Sequence, residues 1–263
     1  MLTGPTVLVL GCGDVGSAVA HQLFRREART VLCNLARSAH SRRGMAFTDA
    51  LFEGEARLDG VVARLVASVE ACHDAWLAAK AIPVVTLSEP ELVRALHFDA
   101  AVDATMRKHQ VPRDRRPPAA LTVGLGPGFT PGVNCHMAIE TQWGAALGEV
   151  LRDRGTAALT GGPHWLGSAG SERFVSAPVS GLWRTAASIG QQVLAGEIVG
   201  TIDAAPVRAS LRGCLRGLTH HEVTVAAGQK LVEVDPREPP RVFGLGERPR
   251  AVAEGVCRAL GLE

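Results

Sequence analysis

The chain contains no tyrosine, and aromatic residues make up only 4% of its 263 positions. That removes most of the stacking platform on which single-stranded nucleic acid is held. A surplus of charge is missing too: the formal net charge is +2, too small to imply nucleic acid or an anionic membrane as a partner. No apolar run approaches the roughly 18–20 residues of a membrane span. The first such run, Val7 to Leu10, is too short for a signal-peptide core and follows no basic leader. The six cysteines (Cys12, Cys33, Cys72, Cys135, Cys214, Cys257) form no C-x-x-C pair, so neither a zinc knuckle nor a disulfide framework is suggested, and no metal site is expected. With no tyrosine there is no Ser-Tyr-Lys set of the kind a dehydrogenase would use. These absences point to the cytoplasm.

What is present is ordinary in bulk: 46% hydrophobic and 21% charged residues, with length enough for one large domain or two modest ones. The stretch that orders the rest is Leu121 to Thr141, LTVGLGPGFTPGVNCHMAIET. A short apolar strand leads into Gly124, Gly126, Gly128 and Gly132, with Pro127 and Pro131 stiffening the loop and Asn134, Cys135 and His136 following at once. Such a loop can aim several backbone N–H groups at an anion, or it can simply be a tight inter-domain connection.

Before it, Thr6 to Leu10 is a β-rich apolar run followed by GCGDVG and a helix-periodic segment from Ser17. Gly11, Gly13 and Gly16, with Asp14 among them, make a G-x-G-x-x-G in the strand–turn–helix context of a dinucleotide fingerprint; the alternative is a tight βα turn with no ligand. A second strand, Arg29 to Cys33, ends at Asn34 where a NAD site would place an acid, and Arg37, Arg42 and Arg43 follow. That pattern favours a ligand with an extra phosphate, or one that is not NAD; a solvated basic loop would look the same. Further strands over Val61 to Val66, Pro83 to Leu87 and Ala100 to Asp103 alternate with helices over Val69 to Ala81 and Glu89 to Leu96. Asp103, at a strand end, joins the site candidates.

After it the chain is duplicated. A shift of 32 residues lays Val175–Asp203 on Val207–Asp235 without a gap, matching Gly181 with Gly213, Arg184 with Arg216, Gly196 with Gly228 and Asp203 with Asp235. The repeated A-P-x-x-G and V-x-x-G pattern looks like the lipoyl/biotinyl-carrier type of barrel-sandwich. The turn between the copies, Ala204-Ala205-Pro206, has no lysine to carry a covalent cofactor. The expected fold is therefore α/β: a Rossmann-like parallel sheet in residues 1–170, a duplicated lipoyl/biotinyl-like barrel-sandwich in 171–240, and a C-terminal helix in 241–263.

Along these motifs the sequence resembles the selenium-dependent molybdenum hydroxylase maturation proteins, relatives of the xanthine dehydrogenase accessory proteins. The stretches that carry the resemblance are Gly13–Arg25, Arg42–Gly54, Val102–Lys108, Val123–Thr141, APVSG at Ala177–Gly181, LRGL at Leu215–Leu218 and VDPR at Val234–Arg237. The sequence departs from that family at Asn34 and Asn134, where the family often has acids. The resemblance implies an accessory protein that binds a molybdenum–pterin cofactor, as such or as a dinucleotide, for modification or insertion. Its partners would be an apo molybdenum hydroxylase and a sulfur or selenium donor, and it could form a homo-oligomer. Whether it would catalyse or only carry stays open. The expected contacts are Gly11, Gly13, Asp14, Gly16, Asn34, Arg42, Arg43, Asp103, Gly126, Pro127, Gly128, Phe129, Asn134 and His136, with Cys135 as the candidate for sulfur transfer. The alternatives are an NAD(P)-dependent oxidoreductase and a non-catalytic docking adaptor.

Overall fold

A computed structural model describes the whole chain except Leu35, Arg37, Lys108, His109, Val111, Pro118, Thr160 and Gly161; Arg37, expected above as a basic neighbour of Asn34, thus lies outside the described residues. The first unit contains strands β1 (Thr6–Leu10), β2 (Arg29–Cys33), β3 (Glu55–Leu58), β4 (Val61–Leu65), β5 (Ile82–Val85), β6 (Ala100–Asp103), β7 (Leu121–Leu125), β8 (Met137–Ile139) and β9 (Val150–Leu151). They form one nine-stranded sheet in the order β3-β4-β5-β2-β1-β6-β7-β8-β9. Neighbours from β4 to β8 run parallel, while β3 pairs antiparallel with β4 and β9 with β8. From β1 the chain winds first toward β2 and β5, then returns to the other side through β6 and β7. That reversal falls between β1 and β6, the kind of place where open α/β sheets commonly take ligands.

The burial pattern explains the layers. All five residues of β1 are buried, as a central strand covered on both faces must be. Val7 and Val9 point into one core with α1 (Asp14–Arg25) and α5 (Glu247–Ala259), while Leu8 and Leu10 point into another with Trp76 and Leu92 of α3 (Val69–Ala78) and α4 (Glu89–Ala95). The remaining helix, α2 (Ala50–Glu53), is a single turn. Helix α4 starts on a capping box between Ser88 and Glu91, with Pro90 in its first turn. No helix among the described residues is long and apolar enough to cross a membrane.

The duplicated segment supplies β10 (Phe174–Ser176), β11 (Gly181–Arg184), β12 (Gln192–Val193), β13 (Ile198–Ile202), β14 (Ala205–Arg208), β15 (Gly213–Leu218), β16 (Val223–Val225) and β17 (Lys230–Asp235). They form two four-stranded antiparallel sheets, β10-β17-β15-β12 and β14-β13-β11-β16. The 32-residue shift converts one sheet into the other: Val193 opposite Gly213 becomes Val225 opposite Gly181, and Trp183 opposite Ile202 becomes Leu215 opposite Val234. Trp183, fully buried, fills the space between the sheets with Ile202, Leu215, Val232 and Val234. Its indole N–H donates to the Thr219 carbonyl at 2.9 Å.

The expected combination of a Rossmann-like parallel sheet and a lipoyl/biotinyl-like barrel-sandwich is corrected here. The large sheet is mixed, with an antiparallel pair at each edge, and the antiparallel sheets that follow are clamped to it through buried charge.

Candidate functional site

The glycines of the first turn are explained by packing. Gly11 has φ +101° and lies so close to the next strand end that a Cβ would stand 2.8 Å from the Ala104 carbonyl oxygen. A Cβ on Gly16 would fall 1.8 Å from the Gly11 oxygen, and one on Gly13 would stand 3.2 Å from the His40 ring. Two of the turn's donors are in use as well. Gly11 N–H donates to Cys33 O at 2.8 Å, and Cys12 N–H to Asn34 Oδ1 at 3.0 Å. The side chain of Asn34 thus braces the turn, its Nδ2 donating to Ser38 Oγ at 2.7 Å.

Asp14 opens α1 and is paired with Arg42 at 2.9 Å. Burial opposes the charge of Asp14, yet the Arg42 guanidinium outweighs it and holds the carboxyl well below the usual carboxylate range. Arg42 also grips Glu233 of β17 through Nε at 2.6 Å and a second nitrogen at 3.2 Å. Burial works against the guanidinium as well, and the two carboxylates more than compensate, so it stays fully charged. Arg43 donates to the Leu218 carbonyl at 2.8 Å and pairs with Asp49 at 2.9 Å. Both arginines, expected at a phosphate, are staples between the large sheet and the antiparallel unit.

The other candidates divide into two places. Asp103, Pro127 and Phe129 border a cavity of about 150 Å³ beyond the ends of β6 and β7, together with Thr105, Arg107, Arg113 and Arg115. Asp103 accepts from Thr105 N–H at 3.0 Å and its hydroxyl at 2.6 Å, and pairs with Arg115 Nε at 2.6 Å. Arg115, buried, also reaches Glu89 at 2.6 Å, and Arg113 reaches the same carboxylate oxygen at 2.9 Å. Gly126 and Gly128 take positive φ to turn the chain at the rim. Gly124 is needed for a different reason: a Cβ there would stand 2.2 Å from the Phe129 ring, which makes the cavity wall.

Asn134, Cys135 and His136 are elsewhere. Asn134 braces the loop from within, accepting from Thr130 N–H at 2.8 Å and donating to Gly128 O at 3.0 Å. His136 is exposed and bonds Thr122 N–H through Nδ1 at 3.0 Å, level with the start of β7 rather than its end. Cys135 is fully buried, and burial pushes its thiol up to about 11, so it offers no thiolate for sulfur transfer at neutral pH. Burial likewise raises Cys12 to about 12, Cys33, Cys72 and Cys257 to about 11, and Cys214 upward. A thiol-specific disulfide reagent at pH 8 is therefore expected to leave the native protein essentially unlabelled and to titrate all six cysteines after denaturation; one rapidly reacting native thiol would contradict this burial. Among the described residues no group of three or more His, Cys, Asp and Glu side chains is placed to hold a metal ion.

Sequence reasoning missed Thr105, Arg107, Arg113, Arg115 and Glu89. RDRRPP, residues 113–118, is plain in the sequence as a run of charge, but nothing in its spacing shows that Arg115 turns inward to Asp103.

No family model matches the chain. It is 32% identical over 257 residues to an uncharacterized protein of Escherichia coli K12, YqeB. That match takes in 97% of this chain and 47% of the relative, so the chain spans about half the length of the curated relative it matches. Among solved structures, the product-bound ectoine utilization protein EutE (DoeB) of Ruegeria pomeroyi is 14% identical with a TM-score of 0.28, covering 89% of this chain and 86% of that one. An aspartoacylase family protein of Mesorhizobium loti is 10% identical with a TM-score of 0.26, over 89% of this chain and 86% of that one. A succinylglutamate desuccinylase/aspartoacylase of Rhodobacter sphaeroides is 15% identical with a TM-score of 0.25, over 88% and 86%. At such TM-scores these likenesses carry no argument about the chemistry of this chain. The expected resemblance is corrected: no family model and no curated relative supports it, and the arginines and the cysteine it relied on are engaged in ion pairs or buried. The reading as a molybdenum hydroxylase accessory protein is not carried further, nor are its oxidoreductase and adaptor alternatives.

Proposed function

We propose that the chain binds a small organic anion, a phosphorylated or carboxylated metabolite, in the crevice beyond the carboxyl ends of β6 and β7. The observation that carries this reading is the cavity at that point, bordered by guanidinium groups on one side and by Leu125, Pro127 and Phe129 on the other. The Asp103–Arg115–Glu89 chain of ion pairs is the fixed part of the wall. Arg107, exposed, and Arg113, exposed although paired with Glu89, are the groups whose side chains could turn toward a ligand. The local charge supports an anion, since three arginines face two carboxylates. A volume of about 150 Å³ lies below the roughly 300–1,000 Å³ of sites for drug-sized ligands, which favours a compact metabolite over a dinucleotide.

Isothermal titration with a panel of small phosphate esters and dicarboxylates tests this. At least one is expected to bind saturably, with affinity falling about tenfold or more in the double variant Arg107→Ala/Arg113→Ala, since a charge-assisted hydrogen bond contributes about 1.5–3 kcal/mol. Undiminished affinity in that folded variant, or no saturable binding across the panel up to about 1 mM, a range of about 4 kcal/mol, would sink the reading.

A further inference from the structure

The two copies of the duplicated segment match in backbone but not in what lies on them. In the second copy Ser41, Arg42 and Arg43, from the loop between β2 and α2, are seated on β15 and β17. Leu218 N–H donates to the Ser41 carbonyl at 2.7 Å, Arg43 Nε donates to the Leu218 carbonyl at 2.8 Å, and Arg42 reaches Glu233 at 2.6 Å. Gly217, Leu218 and Glu233 are buried there. The 32-residue shift carries these three positions onto Thr185, Ala186 and Thr201 of the first copy. All three border an open groove of about 530 Å³, with Arg184, Ala187 and Ile198 also in its walls.

Two local differences make the groove. Strand β15 stays paired with β17 as far as Leu218 opposite Val232, whereas β11 leaves β13 after Arg184 opposite Thr201. Thr185 Oγ1 then donates to the Val199 carbonyl at 2.5 Å, while the matching Leu231 carbonyl accepts from Thr219 N–H at 2.9 Å. The other difference is charge. Glu233 stands 3.7 Å from Arg216 in the second copy, and the first copy has Thr201 in its place, so Arg184 lacks the carboxylate that its counterpart faces. Arg184 is exposed and forms no ion pair among the described residues. His221 closes one side, its Nδ1 accepting from Thr185 N–H at 3.1 Å, and no Asp or Glu among the described residues borders the groove. Ile198 supplies an apolar surface that is 53% exposed.

We propose that this groove docks a loop of a second polypeptide that presents an aspartate or glutamate beside small residues. The carboxylate meets Arg184, replacing the one lost with Thr201, and a backbone carbonyl meets Ala186 N–H as Ser41 O meets Leu218 N–H. A basic loop like the resident one would set its arginine against Arg184 with no acid to receive it, so the partner's polarity is the reverse. The groove shares no lining residue with the cavity beyond β6 and β7, and the inference does not depend on the crevice reading.

The test titrates the full chain, observed through its backbone amide NMR signals, with a blocked octapeptide of residues 38–45 carrying Arg42→Glu and Arg43→Glu. Saturable shifts are expected at Thr185, Ala186 and Thr201, with a dissociation constant of about 1 mM or below. In the full chain, Arg184→Glu should weaken binding about tenfold or more. Thr201→Glu should do the same and should turn the groove toward the unaltered, arginine-bearing octapeptide; it keeps the test decisive if Arg184→Glu fails to fold. Arg107→Ala/Arg113→Ala should leave the affinity unchanged. No saturable shift up to about 5 mM peptide, shifts confined to the crevice, equal binding of the unaltered octapeptide to the parent chain, or an affinity that survives both groove variants overturns the proposal. So does a dimer of the chain that Arg184→Glu converts to monomer in sedimentation, which would assign the groove to a second copy.

Discussion

Glu233→Gln is expected to destabilise the protein by about 3–5 kcal/mol, because it removes the one carboxylate on which Arg42, Arg173 and Arg216 converge and leaves buried guanidinium charge uncompensated. Chemical denaturation followed by circular dichroism reads the loss; a change below about 1 kcal/mol, the usual size for an exposed pair, would show that the cluster is not buried charge at all. The same carboxylate gives the protein an acid limit. Burial disfavours its charged form, but the Arg42 charge and the hydrogen bonds from Arg42 and Arg173 overcome this and hold its pKa below the ordinary value in the folded state. A group depressed in this way stabilises the fold above its unfolded pKa and loses that contribution as pH falls through the folded one. Asp14 adds to the effect in the same direction. Stability should therefore decline as the pH drops below about 5, and the decline should be shallower in Glu233→Gln than in the parent chain.

Trp183→Ala should cost about 3–5 kcal/mol as well, for a different physical reason. The indole is fully buried between the two antiparallel sheets and sits flush against Gly200, where an added Cβ would stand 2.4 Å from the ring. Its removal leaves a cavity that the rigid strands on either side cannot close, and takes away the donor to the Thr219 carbonyl. Trp183→Phe should recover part of the loss, since it restores volume but not the hydrogen bond. Equal destabilisation by Ala and Phe would assign the whole effect to the lost N–H rather than to packing.

The parts of this fold that were legible in the sequence are those set by local pattern. Thr6–Leu10 is a β-rich run closed by a glycine turn, Arg29–Cys33 ends at Asn34, and both form strands with those bounds. The duplication was legible because two copies of one pattern align without a gap. The hairpin of β3 and β4 went unread although its signal was present: Asp59-Gly60 sits between EARL and VVARL, with φ +42° and +82°, the two positive values that a tight two-residue turn demands. Strands β8 and β9 have three and two residues, too short for any periodicity to register.

The candidate sites were less legible, because ion pairs leave no trace in spacing. Arg42 and Glu233 are 191 residues apart, so only the folded chain makes them one feature. Glycines pose the opposite difficulty. Gly11, Gly16 and Gly124 were conspicuous and invited a ligand, whereas each is required by a neighbouring atom of the protein itself: Ala104 O, Gly11 O and the Phe129 ring.

The strand order of the antiparallel unit has one further consequence. Within the first copy only β11 and β13 pair with each other, and within the second only β15 and β17. Every other pairing, β10 with β17, β12 with β15, β14 with β13 and β16 with β11, crosses between copies. One copy by itself would hold a single strand pair and two orphan strands, and an isolated two-stranded ribbon is marginal in water. The unit is thus an intertwined dimer written on a single polypeptide, with the short link at Ala204 doing what subunit concentration would otherwise have to do. Because linking the copies makes their association intramolecular, with an effective concentration in about the millimolar range, the face that grips the large sheet stays assembled however dilute the protein becomes.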